Sequence, residues 1–155
     1  MPQTISEFLD TARSRFDRLE PLAAHAAQAA GALVIDTRCA ELRREDGVIP
    51  GSVHVPLSVL FWRLDPSSGH HAPELADRDR QIILVCAHGY SSSLAAATLH
   101  DLGFRFATDV AGGFEAWAAA GLPVEPEPTT RAPDRIARPL DIGPRRSRDG
   151  HPQAS

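Results

Sequence analysis

The sequence predicts an α/β domain built on a mostly parallel sheet with helices on both faces. Three observations lead there. Two apolar runs of strand length, Ala32-Leu33-Val34-Ile35 and Gln81-Ile82-Ile83-Leu84-Val85, show no alternation, as expected of strands covered on both sides. Stretches of helical character separate the extended ones along the chain. A length of 155 residues with a 43% hydrophobic share suits a single core of this kind, and the 23% charged share suits its surface.

The elements follow in order. Thr4 and Glu7 fit a capping box. Ile5, Phe8, Leu9, Ala12, Phe16 and Leu19 then fall on one face of a first helix. Pro21 opens a second helix, 22–30, and Gly31 closes it. Both are expected to lie across the domain as an N-terminal cover. The first strand ends at Asp36, a short extended piece covers 52–55, and the next strand ends at Cys86. A helix over 92–102 carries a stripe of Leu94, Ala95, Thr98, Leu99 and Leu102. A weaker strand, 106–110, precedes Gly112-Gly113 and a helix over 114–120. From Glu125 the composition turns to Pro and Arg with few large apolar residues, which predicts disorder because too little surface is buried to offset chain entropy. The organisation is therefore an N-terminal helix (1–20), a domain (21–124) and a Pro/Arg-rich tail (125–155).

Composition narrows the function. A net charge of −4 argues against a nucleic-acid partner. No apolar run approaches the roughly 18 residues of a membrane span, and the N-terminus lacks the basic start and apolar stretch of a secretory signal. A cytoplasmic location without membrane attachment is the expectation. The two cysteines, Cys39 and Cys86, make no disulfide framework and suit a reducing compartment.

The stretch that carries chemistry is Val85-Cys86-Ala87-His88-Gly89-Tyr90-Ser91-Ser92. A buried strand delivers Cys86, a turn at Gly89 follows, and a helix begins at about Ser91 or Ser92. The first turn of a helix has unpaired N–H groups and a positive dipole end, so amides of residues 87–92 can gather around the sulfur and favour the thiolate. Gly89 supplies the positive φ that such a turn requires. Ser91 and Ser92 suit helix capping and could also donate to an anionic sulfur. A cysteine after an apolar strand is ordinarily an inert core thiol; the loop pattern sets Cys86 apart.

Several neighbours are candidates by position. Asp36 and Arg38 lie at the carboxyl end of a strand, where α/β sheets place their sites. They read as a brace for the loops, with Arg38 as an anion contact the alternative. Arg63 is a weaker anion candidate, and Trp62 could line the pocket. His88 could tune the thiolate, though its backbone is the plainer contribution, and Tyr90 could form a rim. His70-His71 lacks companion ligands for a metal. Cys39 reads as a buried structural thiol, with a resolving thiol the alternative. Phe114 and Trp117 read as core.

The loop Cys86-Ala87-His88-Gly89-Tyr90-Ser91-Ser92 resembles the active loop of rhodanese domains, in the form found in small single-domain thiosulfate sulfurtransferases. Three further segments resemble markers of that family: Asp36-Thr37-Arg38, residues 47–56 (GVIPGSVHVP), and residues 111–117 (AGGFEAW) followed by Gly121-Leu122-Pro123-Val124. Their order and spacing agree over about residues 22–124. Val48 stands where the family usually has His. The resemblance implies a three-layer sandwich and a Cys86 persulfide that carries sulfur from a thiosulfate-like anion to cyanide or a thiol, including a protein thiol. It implies no metal or organic cofactor. Binding would fall to Ala87, His88, Gly89, Tyr90, Ser91, Ser92 and Arg38. A phosphate loop of the Cys-x5-Arg type would need Arg at position 92, which is Ser92, so phosphatase chemistry is not expected. The competing class is a non-catalytic regulatory or redox-sensing module.

Overall fold

A computed structural model of the protein describes residues 1–128 and 136–141. Strands β1 (Leu33–Asp36), β2 (Val53–His54), β3 (Ile82–Val85) and β4 (Ala107–Asp109) form one sheet, ordered β2-β1-β3-β4, with every pair parallel. The helices among the described residues are α1 (Ile5–Arg13), α2 (Pro21–Ala29), α3 (Ala40–Asp46), α4 (Leu60–Leu64), α5 (Ser91–Asp101) and α6 (Gly113–Ala119). The expected α/β class and parallel sheet are what the chain adopts.

The unbroken apolar runs sort by parity, because successive strand side chains leave opposite faces of a sheet. Leu33, Ile35, Ile82 and Leu84 enter one core with Leu60, Leu64, Leu99 and Phe104. Val34, Ile83 and Val85 enter the other with Ala24, Phe114 and Trp117. Helices α4 and α5 thus cover one face, while α2 and α6 cover the other; α1 packs across α5. Phe114 and Trp117 are core residues, as expected.

The first helix differs from its expectation. The capping box is present, with Glu7 N–H donating to Thr4 Oγ1 at 3.2 Å and Thr4 N–H to the Glu7 carboxylate at 2.7 Å. However, α1 stops at Arg13, and its apolar stripe is only partly used: Ile5 is 70% exposed and Phe8 51%, while Ala12 is buried. Beyond it, Leu19 leaves helical geometry and pairs in parallel with Val110. Leu19 N–H donates to Asp109 O at 3.0 Å and Ala111 N–H to Leu19 O at 2.8 Å, so sheet hydrogen bonds replace the helical ones there. Likewise Thr98, placed in the stripe of α5 by sequence, is exposed. Helices α3 and α4 fill the intervals between the first three strands, where helical character was expected without bounds; α3 reads AELRRED, with one large apolar residue and no stripe to mark its limits.

The tail also differs where it is described. Glu125 forms an antiparallel bridge with Val48, and Ile136 is buried in the α5-side core. Arg63 donates to the carbonyls of Ile136, Arg138 and His70 at 3.1, 2.8 and 2.9 Å. These contacts tie residues 125–128 and 136–141 to the domain. The remainder of the expected disordered segment lies outside the described residues. Arg63, a weak anion candidate by sequence, has each of its guanidinium nitrogens on a carbonyl.

Candidate active site

Strands β1, β3 and β4 end side by side, at Asp36, at Val85 just before Cys86, and at Asp109. The site forms at this carboxyl edge, where an α/β sheet leaves its strand ends uncovered. Cys86 is the first residue beyond β3, buried at 6% exposure beneath the loop that leads into α5.

Gly89, at φ +80°, turns the loop so that its N–H donates to Cys86 Sγ at 3.1 Å. Ser92 Oγ lies 3.2 Å from the same sulfur. Burial pushes the Cys86 thiol up, but hydrogen bonds from the Ser92 and Ser91 hydroxyls and from the Ser92 and Gly89 amides more than offset it. The net direction is down, which favours the thiolate. Of the two roles expected of these serines, donation to the sulfur is the one seen, and capping is not. Tyr90 is the N-cap of α5, without a side-chain cap bond, and the Ser91 and Ser92 hydroxyls serve the sulfur instead. Replacing Ser92 with alanine is expected to raise the pH at which Cys86 ionises by about one unit. Alkylation rates of Cys86 measured across pH would register it.

The loop peptides are aimed from below by α6. Phe114 N–H donates to Cys86 O at 2.8 Å and Glu115 N–H to Ala87 O at 3.2 Å. These bonds hold the carbonyls of the loop away from the sulfur, which leaves that side to donors. Gly113, at φ +65°, sits directly under the turn: a Cβ there would come within 2.5 Å of Cys86 O and 2.6 Å of Gly89 N.

The other sequence candidates divide. Asp36 and Arg38 form a brace, with Arg38 Nε and Nη2 donating to the two carboxylate oxygens at 3.1 and 2.9 Å and Nη2 also to Gly47 O at 2.8 Å. Arg43 Nη1 adds a bond to Asp36 at 2.8 Å. The Arg38 guanidinium stacks 3.8 Å over the Phe114 ring and, among its nitrogens, Nη1 alone has no hydrogen-bond partner. It lines a cavity of about 380 Å³ beside the loop, together with Leu42, Ala87, His88, Phe114 and Glu115. His88 turns outward, its Nδ1 2.7 Å from Glu115; Tyr90 is exposed, its ring centre 6.0 Å from the Arg13 guanidinium, and it is not among the residues of this lining. Trp62 and Arg63 sit on or beside α4 and are not in this lining. Cys39, expected to be buried, is exposed at the start of α3, where the chain leaves the sheet edge.

Burial pushes the Asp36 carboxyl up, and the bonds and charges of Arg38 and Arg43 outweigh it, so its folded value lies below the ordinary one. A depressed carboxyl stabilises the fold above its unfolded value of about 3.9 and loses that contribution as pH falls through the folded value. Stability is accordingly expected to fall as the pH drops below about 4. Asp36→Asn should flatten that slope in urea melts.

Sequence reasoning missed Asp109, Arg13, Arg18 and Ser93, which meet behind the loop. Asp109, at 0% exposure, accepts Arg18, Ser92 and Ser93. A carboxylate ending a strand just ahead of Gly112-Gly113 was the available signal, since strand ends build the site.

The model of the rhodanese-like domain matches residues 20–120. The chain belongs to the rhodanese-like domain family. This rhodanese-like chain is 38% identical over 106 residues to thiosulfate sulfurtransferase GlpE of Pseudomonas savastanoi pv. phaseolicola, covering 68% of this chain and 91% of that protein. It is 36% identical over 105 residues to the same enzyme of Stutzerimonas stutzeri, covering 66% and 84%. Among solved structures, a Rhodopseudomonas palustris protein described as of unknown function and a possible tyrosine phosphatase superposes with a TM-score of 0.73 at 35% identity. That match covers 81% of the rhodanese-like chain and 99% of its counterpart.

Proposed function

We propose that the protein is a sulfurtransferase that moves sulfane sulfur from thiosulfate, or a similar anion, through a persulfide on Cys86. The Cys86 thiolate attacks the outer sulfur of the donor. A new S–S bond forms, the sulfur–sulfur bond of thiosulfate breaks, and sulfite leaves with the bonding pair. A cyanide ion or an acceptor thiolate, including one on another protein, then attacks the outer sulfur, and Cys86 departs as thiolate. Both displacements follow the logic of disulfide exchange, with the acceptor and leaving group supplying and removing the charge. They balance without an electron acceptor, metal or organic cofactor.

The observation that carries this reading is the donor set on Cys86 Sγ: the Gly89 N–H at 3.1 Å, the Ser92 hydroxyl at 3.2 Å, and Ser91 beside them. Those groups favour the ionised sulfur before attack and an anionic persulfide after it. The relatives named thiosulfate sulfurtransferases support the choice of donor. The phosphatase description of the Rhodopseudomonas protein does not carry over, because Ser92 stands where a phosphate loop needs its arginine. No helix of the described residues is long and apolar enough to cross a membrane. The cytoplasm, whose reducing pool keeps Cys39 and Cys86 as thiols, is the proposed place of action.

Intact-mass and peptide measurements after treatment with thiosulfate test the proposal. One added sulfur atom on Cys86, removed by cyanide with release of thiocyanate, is the expected result. A docking or redox-sensing module would gain no sulfur, and that outcome would end the transferase assignment.

A further inference from the structure

Behind the sulfur loop lies a knot of charged groups to which the transfer chemistry above assigns no task. Asp109 closes β4, fully buried, and its Oδ1 accepts Arg18 Nε at 2.8 Å. Its Oδ2 accepts Arg18 Nη2 at 3.0 Å, the Ser93 hydroxyl at 2.7 Å and the Ser92 hydroxyl at 2.8 Å. Arg13 enters from α1, donating to Ser93 Oγ at 3.0 Å and to Gly89 O at 2.7 Å, and Arg18 Nη2 shares that carbonyl at 3.0 Å. Both arginines precede the stretch that the family model matches.

We infer that Asp109 is a positioning residue for Cys86, acting through Ser92, and that Arg13 and Arg18 hold it and the Gly89 peptide in place for that task. The inference rests on Cys86 working as a thiolate. Ser92 has one hydroxyl hydrogen and two acceptors in reach, Asp109 at 2.8 Å and Cys86 Sγ at 3.2 Å. While Cys86 is a thiol, its S–H donates to Ser92 and Ser92 donates to Asp109. Once Cys86 ionises, the Ser92 hydrogen turns to the sulfur, and Asp109 keeps Ser93 and Arg18, so neither carboxylate oxygen is left bare. After sulfur uptake the negative charge moves to the outer atom, and the hydrogen returns to Asp109. The carboxylate thereby keeps Ser92 oriented in each state.

The members of the knot act on the thiolate with opposite signs. A carboxylate one hydroxyl away opposes the sulfur's charge, whereas Arg13 and Arg18 favour it. Other titratable groups on elements packed around the loop are His88 with Glu115 of α6, Asp36 at the end of β1 with Arg38 and Arg43, and Arg15 with Asp101 of α5. These stay constant when the knot is altered. A scaffold that only stiffened the loop would behave differently, since any loosening would return Cys86 toward a free thiol, upward in pH.

The test is the pH dependence of iodoacetamide alkylation at Cys86 in the full chain, resolved by peptide mass from Cys39. Asp109→Asn is expected to move the midpoint down by about one pH unit, and Arg18→Gln up by a similar amount. With Ser92→Ala in both chains, the Asp109→Asn shift should shrink to under about half, because its route through the hydroxyl is gone. Well above the midpoint, thiosulfate should load Asp109→Asn about threefold more slowly, a less basic thiolate being a weaker nucleophile. An upward or absent shift in Asp109→Asn overturns the inference, as does a full shift without Ser92. Should Asp109→Asn fail to fold, Arg18→Gln, at the partly exposed edge of the knot, decides together with Arg18→Lys, which keeps the charge: an upward shift as large in Lys as in Gln, as loosening alone would give, overturns the inference, and so does a downward or absent shift in Gln. Alkylation needs no sulfur donor, so these shifts in a chain that takes no sulfur from thiosulfate would defeat the transferase reading and leave this one standing. Sulfur loading without the shifts would do the reverse.

Discussion

Cys86→Ser leaves the fold in place and reduces sulfur transfer by about four orders of magnitude or more, the scale seen when an enzyme loses its nucleophile. The substitution changes one atom. A hydroxyl fits where the thiol sits and can still accept the Gly89 N–H, so melts should move by no more than about 1 kcal/mol. What is lost is the ionisation. A serine hydroxyl, far less acidic than a thiol, stays protonated under the same donor set that lowers the thiol, and its hydrogen-bond neighbours are a peptide N–H and serine hydroxyls rather than a base. Turnover of thiosulfate with cyanide is the measurement, read beside the mass of the treated chain. Wild-type loading of the variant would show that sulfur enters elsewhere, with the exposed Cys39 the first place to look.

Gly113→Ala is expected to damage fold and site together. The added methyl would need φ near +65° and would meet Cys86 O at 2.5 Å, Gly89 N at 2.6 Å and Ala87 C at 2.8 Å, all of them backbone. Backbone cannot swing aside as a side chain does, so α6 or the loop must shift. The strained conformation and the forced contact together should cost about 2–4 kcal/mol, seen as an earlier urea midpoint. The atoms displaced are also those that aim the Gly89 N–H at the sulfur. A displacement of the order of 1 Å in such a group lowers turnover about a hundredfold, and that loss should persist at temperatures where the variant is fully folded. A folded variant with native turnover would mean that the seat of α6 against the loop has no part in the chemistry.

How legible all this was depends on the range of each interaction. The strands could be read because Val34, Ile35, Ile83 and Leu84 are covered on both faces, which leaves an unbroken apolar run in the sequence. The loop could be read because its chemistry lies within seven consecutive residues and a turn demanding glycine. The short helix α3 could not, having one large apolar residue and no stripe, nor could α4, whose single turn holds only one buried apolar pair, Leu60 and Leu64, too short a repeat to mark a helix. The Arg18–Asp109 pair was invisible for a plainer reason: 91 positions separate the partners, and nothing local in FDRLE or ATDVA announces the other. The end of α1 was misjudged on similar grounds, as Leu19 answers to the edge of β4 rather than to its neighbours along the chain.

Around Cys86 the main chain turns toward the sulfur, while at positions 87, 88 and 90 the side chains are half-buried or exposed. The reactive side and the outward side chains thus lie on opposite sides of one short ribbon. A lineage could exchange the alanine, histidine or tyrosine to suit a new client molecule, and the reagent behind them would keep its character. Specificity can drift here without chemistry having to be reinvented each time.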